Sequence, residues 1–549
     1  MRLSRTTKLR AAAICLTLVA GLLVARPFTR GVTAQAFLAQ EATAPTAATG
    51  LTPQEKRGKQ IYVQGTTAAG REVLAYVGDA SIEVPGSTLP CANCHGLDGQ
   101  GKPEGGVIPT NISWEALTKP YEVTQLSGRK RPPYTERALE LAMTRGLDPA
   151  GNKLHVAMPR YQMAREDMAD LVAYLKRVGQ DRDPGLTEKS ITVGTIVPVK
   201  GELAGVGQAI RAALTAYFDE VNGRGGIYNR KVELKFIETA ETPAATAANL
   251  RRSLQDEQVF VLVSAFTAGA DREIAALADE LGVPVIGPLT LSPQTGRPLN
   301  RHVFYLLSGM EEQARALVNY ASQKAQGDKA GVLVVYPENE LNAGVVAAVK
   351  DQCQKNACGP IETHGYQRAQ FDAQALAGKF SKTGKQLVLF LGAGEEAVAL
   401  MKEADKLNWS PVVYLTGAGG SGIMEAPLSF SRKIYLAFPT APVDQTADGV
   451  REFRALAAKY GLPRTHLATQ LSAQGAGKIL VEGLKRAGRD VSREKLIETL
   501  EGLDQFVTGL TPAVTYGPNR RIGALGAYVV TIDLEKKEFV PASDWVNVN

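Results

Sequence analysis

From Ser190 to Gly417, short β-branched runs alternate with amphipathic segments. SITVGTIVPV, QAIRAALTAYFDEVN and KVELKFIET come first, then FVLVSAF, DREIAALADELG and VPVIGP. GVLVVYP and AGVVAAVKDQC follow, then QLVLFLG, EEAVALMKEADKL and PVVYLTG. No other feature of the 549-residue chain restricts its fold as tightly. Runs that are apolar throughout belong to strands buried on both faces, and the helical stretches between them supply the crossovers that parallel strands need. The pattern predicts an α/β architecture of parallel sheets covered by helices. Roughly 360 residues of it exceed one core and predict two lobes.

Upstream the texture differs. GQDRDPGLTEKS, Gly179 to Ser190, is polar and aperiodic, which places a domain boundary and a linker at 180–190. Before it, PQEKRGKQIYVQG, TERALELAMTRG and REDMADLVAYLKRVG have helical periodicity, with Gly58, Ile61 and Tyr62 on one face of the first. A strand-like REVLAYVG and the turn VPGS stand between them, so residues 53–179 read as a small, helical, loop-rich unit. Residues 35–52 are an Ala/Thr-rich tether. Residues 1–34 read as an export signal, with the basic start MRLSRTTKLR, an apolar run from Ala11 to Ala25, and small residues at Val32-Thr33-Ala34. That run of 15 residues is short of the roughly 20 that span a bilayer, and Arg26 and Arg30 leave an uncleaved anchor as the alternative. Without the six basic residues before Glu41, basic and acidic side chains balance at 56 each, a composition that excludes a nucleic-acid partner.

CANCHGLDGQG, starting at Cys91, concentrates two thiols and an imidazole. C-x-x-C-H presents Cys91 and Cys94 one helical turn apart to a haem's vinyl groups and places His95 to ligate the iron. A zinc site needs four separate ligands, and a redox dithiol belongs to a strand–helix context that this glycine-rich surround lacks. LHVAMPRYQM offers the sixth ligand as Met158, with His155 and Met163 as competitors. In SGRKRPPYTER, Arg129, Lys130 and Arg131 read as a solvated face, the alternatives being haem propionates or an acidic redox partner. Export makes Cys353 and Cys358, either side of QKNA, a structural disulfide rather than a redox switch.

These residues carry two resemblances. From about Pro53 to Gly179 the chain resembles class I-type cytochrome c domains, through Gly58 and Tyr62, CANCHGLDGQG, Pro109-Thr110-Asn111, Met158-Pro159, and Leu171, Tyr174 and Leu175. The resemblance implies a small all-α domain whose first and last helices cross at Gly58. It also implies one covalent haem c on Cys91 and Cys94, with His95 and Met158 as axial ligands and a carbonyl near Pro109 orienting His95. The departure is the long insert between Val63 and Cys91. From Ile191 onward, ITVGTIVPVKGELAGVGQAIRAALTAYFDEVNGRGGIYNRKVEL, VLVSAFTAGADREIAALADELGVPVIGPLT and FRALAAKYGLPRTHLATQLSAQGAGKILVEGLKRAG resemble periplasmic ligand-binding proteins of the leucine/isoleucine/valine-binding type. Residues 191–549 are then a two-lobed clamshell that closes on a small molecule. Thr267 and Thr290 offer it hydroxyls or cap the helices that follow.

Where amino-acid-binding members carry an acid for the ligand ammonium, this chain has TGAGGSG, and Leu341 and Gly394 stand where tyrosines are expected. A buried, unpaired ammonium costs several kcal/mol, about 3–5 for a broken pair, so the ligand is not an α-amino acid unless Glu395 or Glu338 substitutes. A neutral or purely anionic molecule is expected. The whole reads as an exported mono-haem electron carrier fused to a small-molecule clamshell and serving a redox partner protein such as a periplasmic dehydrogenase. The alternative is the substrate-binding component of an ATP-driven importer, with an accessory haem and a permease partner. His302, His364 and His466 are scattered, and no catalytic constellation is recognisable, so the chain is not expected to be an enzyme.

Overall fold

The computed structural model describes residues 51–548 apart from Asp79, Lys102, Glu104, Gly105, Leu126, residues 325–330 and Lys385. The expected signal and nearly all of the tether lie outside the described residues. The first unit contains α1 (Pro53–Gln64), α2 (Cys91–His95), α3 (Trp114–Leu117), α4 (Glu136–Arg145) and α5 (Arg165–Leu175). A capping box starts α1: Glu55 N donates to Thr52 Oγ1 at 3.2 Å, and Thr52 N donates to Glu55 Oε2 at 2.7 Å. Gly65, in the left-handed region, ends it. α1 crosses α5 at Gly58, where a Cβ would lie 2.0 Å from the Asp170 carbonyl oxygen. The rings of Tyr62 and Tyr174 meet beside the crossing, 5.4 Å apart.

The unit is not purely helical. The insert forms a hairpin of β1 (Leu74–Val77) and β2 (Ile82–Pro85). A small pair follows, β3 (Val123–Thr124) with β4 (Lys130–Arg131), and then β5 (Arg160–Gln162), which joins β1 in an antiparallel sheet ordered β2-β1-β5. Short strands half-facing solvent leave a weaker periodic signal than buried ones.

The junction at 180–190 is docked rather than free. Leu186 is buried in the core of the first lobe and bridges to Ile191, and Gly185 lies against the backbone of residues 258–260. Asp183 Oδ2 accepts from Arg493 N at 2.6 Å. The Arg493 guanidinium donates to the carbonyls of Val259, Phe260 and Leu281 at 2.7, 3.0 and 3.1 Å.

Lobe I starts with β6 (Ser190–Val197), β7 (Lys231–Glu238), β8 (Val261–Val263), β9 (Val285–Ile286) and β10 (Val303–Leu307). Lobe II holds β11 (Val332–Pro337), β12 (Ile361–Tyr366), β13 (Leu387–Phe390), β14 (Val412–Thr416) and β15 (Ile434–Phe438). The chain returns to lobe I for β16 (Ile522–Ala524) and ends in lobe II with β17 (Gly526–Asp533) and β18 (Glu538–Asn547). Lobe I is a six-stranded parallel sheet ordered β16-β10-β9-β8-β6-β7. Lobe II is seven-stranded, β12-β11-β13-β14-β15-β17-β18. Its first five strands are parallel; β17, entering from the last crossing, runs antiparallel to β15, and a short turn sets β18 antiparallel to β17. Helices cover both faces of each sheet.

The chain crosses between lobes after β10, after β15 and between β16 and β17. Ser308 ties two crossings, its hydroxyl donating to Ala524 O and accepting from Gly526 N, both at 2.9 Å. Asp444, in the third, accepts from the Tyr528 hydroxyl at 2.5 Å.

The expected Cys353–Cys358 disulfide is not formed; both are free thiols. The chain turns back after the helix Glu340–Lys355, Cys358 N donates to Cys353 O at 3.0 Å, and the two thiols face one another. Burial and the neighbouring thiol push the Cys353 pKa up.

Candidate haem pocket and ligand cleft

Pro90, extended, starts the short helix α2, which carries Cys91, Cys94 and His95 in one turn, and Gly96 ends it at a φ of 74°. His95 is 7 % exposed. Its Nδ1 lies 3.0 Å from the Thr110 carbonyl oxygen, so Nδ1 carries the proton and Nε2 is the nitrogen available to a metal. Burial lowers its pKa and keeps the imidazole neutral, the form that ligates. The carbonyl expected near Pro109 is therefore that of Thr110. Gly101 holds the loop beneath: its N donates to His95 O at 2.9 Å, and a Cβ there would lie 2.3 Å from Pro109 O. The Tyr62 hydroxyl donates to Gly96 O at 2.6 Å, tying α1 to the same turn.

Burial pushes the Cys91 thiol up to about 12, the opposite of the depressed pKa that a redox dithiol needs. Cys91, Met158, Met163 and Val84 pack against the buried Val73, Ala75 and Tyr161. Both methionines thus share one apolar wall with Cys91. His155 is exposed, and its Nδ1 accepts from Ala157 N at 3.2 Å.

The basic cluster divides, and Arg131 departs from the solvated-face reading. It is 2 % exposed, stacks 4.7 Å from the Tyr134 ring centroid, and donates to the carbonyls of Ala116 and Leu117 at 3.1 Å and of Pro132 at 3.2 Å. Its buried Nε has no hydrogen-bond partner among the described residues. A neutral buried imidazole with Nε2 available, and a thioether and a thiol on one apolar wall, together fit a haem.

In the clamshell, Thr267 and Thr290 follow β8 and β9, at the carboxyl ends where ligands of such sheets bind. The structure brings them together around a residue that the sequence did not announce. Thr267 Oγ1 donates to Asp271 Oδ1 at 2.7 Å, Gly269 N donates to Oδ2 at 3.3 Å, and Thr290 also hydrogen-bonds the same carboxylate. Asp271 opens the helix Asp271–Leu281, where the dipole favours a negative charge. Burial raises its pKa nevertheless, against the pull of those donors. Next to it, Arg272 pairs with Glu340 across the cleft, joining lobe I to lobe II.

Glu395 lies in the first turn of the helix Gly394–Lys406, exposed and on the other lobe from the threonines. Glu338 is engaged by Gln367, whose Nε2 donates to its Oε2 at 2.6 Å. The two glycine loops of lobe II pack backbone to backbone, since a Cβ at Gly394 would meet Ser421 O at 1.9 Å. Ala418 is exposed in the short 3-10 turn Gly417–Gly420, where an acid was missed.

The haem pocket reaches lobe I directly. Asp98, three residues after His95, pairs through Oδ2 with Lys495 Nζ at 2.9 Å, on the helix Arg493–Glu501. At the other end of that helix Glu501 pairs with the buried Arg521 at 2.6 Å. Arg521 O in turn accepts from Tyr305 N at 2.8 Å, beside the crossing after β10.

A one-turn C-x-x-C-H helix between two crossing helices, carried on a two-lobed sheet clamshell, defines an electron-carrier domain joined to a ligand-binding module. Comparison with known proteins agrees. The chain belongs to the periplasmic binding protein family, whose model matches residues 190–538, and the cytochrome c model matches residues 87–179. It is a cytochrome c domain fused to a periplasmic binding protein domain.

Among its relatives is the Leu/Ile/Val-binding protein homolog 3 of Brucella melitensis biotype 1, 25% identical over 301 residues, which are 54% of this chain and 79% of that protein. The Leu/Ile/Val-binding protein BraC3 of Rhizobium johnstonii is 23% identical over 340 residues, 60% of this chain and 89% of its own length. Among solved structures, a branched chain amino acid ABC transporter from Thermus thermophilus with bound valine superposes with a TM-score of 0.55 at 17% identity, covering 66% of this chain and 97% of that one. Among the described residues, no helix is long and apolar enough to cross a membrane.

Proposed function

We propose that the chain is an exported, non-catalytic electron carrier whose single covalent haem c is held by Cys91, Cys94, His95 and Met158, and whose clamshell reports ligand occupancy to a redox partner protein. Haem c, when bound there, takes up and returns one electron, and thioether ligation favours a raised potential. His95 is fixed through Thr110, and the wall of Val73, Ala75 and Tyr161 excludes water.

The observation that carries the reading is the Asp98–Lys495 pair, because it places the haem loop on the helix whose far end holds Arg521 near the lobe crossings. The test needs no ligand. Replacing Arg272→Cys and Glu340→Cys together allows the cleft to be locked by a bifunctional thiol cross-linker about as long as the ion pair it replaces. The haem midpoint potential, or the rate of electron exchange with the partner, should shift on locking, and Lys495→Ala should abolish the shift. No shift in the otherwise native chain would remove the coupling.

The ligand follows from Asp271. The Asp271 carboxylate already takes the hydroxyl protons of Thr267 and Thr290, so a purely anionic ligand finds no free donor there and meets like charge. With Ala418 carrying no acid and Glu338 engaged by Gln367, Asp271 is the carboxylate left to face a donor on the ligand. A molecule bearing hydrogen-bond donors and no carboxylate suits the cleft. A second reading, the substrate-binding component of an ATP-driven importer, draws on the likeness to the Thermomonospora curvata fatty acid ABC transporter substrate-binding protein, with a TM-score of 0.55 at 16% identity. It predicts co-purification with a membrane permease.

A further inference from the structure

The insert before the C-x-x-C-H helix does more than lengthen a loop. β1 is the central strand of its sheet, with Tyr76 opposite Arg160, Ala75 opposite Tyr161 and Leu74 opposite Gln162. β5 begins two residues after Met158, and Pro159 between them lacks an N–H for any ladder. The backbone leaving Met158 is therefore fixed by pairing with the insert. Ala75 and Tyr161, 0 % and 6 % exposed, pack with Val73 onto Cys91, Met158 and Met163.

Two further ties close this wall. The Tyr161 hydroxyl donates to Leu89 O at 2.6 Å, two residues before Cys91, so one side chain joins the methionine segment to the start of α2. The Arg160 guanidinium donates to the carbonyls of Met158 and, at 3.3 Å, Leu154. It lies across Gly146, where a Cβ would overlap it. The base of the insert is equally fixed. Arg71 makes a two-pronged pair with the buried Asp167 of α5, Nε to Oδ2 at 2.8 Å and Nη2 to Oδ1 at 2.5 Å, and Gly86 N donates to Val73 O at 2.7 Å.

The geometry points to the insert as a clamp on the Met158 segment, with Tyr161 and Arg71 as positioning residues that keep the thioether on the Cys91 wall against displacement by outside ligands. This rests on the reading that Met158 is an iron ligand.

The experiment uses the full-length holoprotein and imidazole as the competing ligand, followed by the absorption change of ferric haem. Tyr161→Phe, which keeps the ring and loses the hydroxyl's bond to Leu89 O together with its contact to the Cys91 sulfur, should bind imidazole about fivefold faster, the worth of one neutral hydrogen bond. Arg71→Ala, at the base of the insert and paired with α5 rather than with the Met158 segment, should accelerate it as well, and both should lower the midpoint potential. If both variants matched the parent in imidazole rate and potential, the clamp would be overturned. Met158→Ala separates the two claims. If its imidazole binding were no faster than that of the parent, the axial assignment would fail, whatever the insert does.

Discussion

At the scale of single residues, chemistry written in adjacent positions was legible and chemistry assembled from distant ones was not. Cys91, Cys94 and His95 are bound by covalent spacing to one helical turn, so their arrangement follows from the string itself. Asp271 is one residue among many acids until the fold brings Thr267 from the end of β8 and Thr290 from the end of β9 to its carboxylate. Tyr161 meets Leu89 across 72 positions, and Arg131 reads as part of a charge run until it is found buried. Met158→Ala should give a high-spin or ligand-switched haem of lower potential, checked by absorption spectra and redox titration. An unchanged spectrum would assign the axial role elsewhere. For the cleft, paired neutral amides and the matching carboxylates should separate in a thermal-shift screen, only the amides raising Tm. A donor on the ligand favours the ionised form of Asp271, whose pKa burial raises, so binding releases a proton and affinity falls as pH drops through the carboxylate range. Asp271→Asn should lose about tenfold in affinity together with that pH dependence.

Among the elements, the helices and buried strands were predictable because apolar periodicity is strongest where burial is complete. The insert, the antiparallel end of lobe II and the docked junction were less so, since each is set by its partner. Gly58 shows how an element-level contact decides the sign of a substitution. In an exposed helix Gly→Ala stabilises by about 1 kcal/mol. Here the new methyl would meet a backbone oxygen of α5 at 2.0 Å. Gly58→Ala should therefore cost about 3 kcal/mol, the upper range of overpacking, and lower the Tm of the cytochrome unit in calorimetry. A gain in stability would mean that α1 and α5 are not so closely crossed. Gly394, in the first of the two lobe II loops, is explained at the same scale by its close backbone packing on Ser421 of the second.

For the whole molecule, the division into a small haem unit and a two-lobed clamshell was readable from the change of texture at 179–190, whereas the way the parts are joined was not. The junction reads as polar linker, yet Leu186 is buried in lobe I and Arg493 clamps the strand ends around it. Limited proteolysis of the native protein should accordingly spare residues 180–190. Leu186→Asp should open them to cleavage without changing the haem spectrum, and rapid cutting of the unaltered chain would contradict the docking. The buried leucine also governs how the molecule moves in solution. A haem unit on a loose string would reorient on its own, several times faster than the clamshell. One seated through Leu186, Asp183 and Asp98 turns with lobe I as a single body, so a dye on the cytochrome surface would report the slow rotational diffusion of a particle of about 58.6 kDa. A partner protein approaching the haem would then meet cytochrome and lobe I side by side in one fixed orientation.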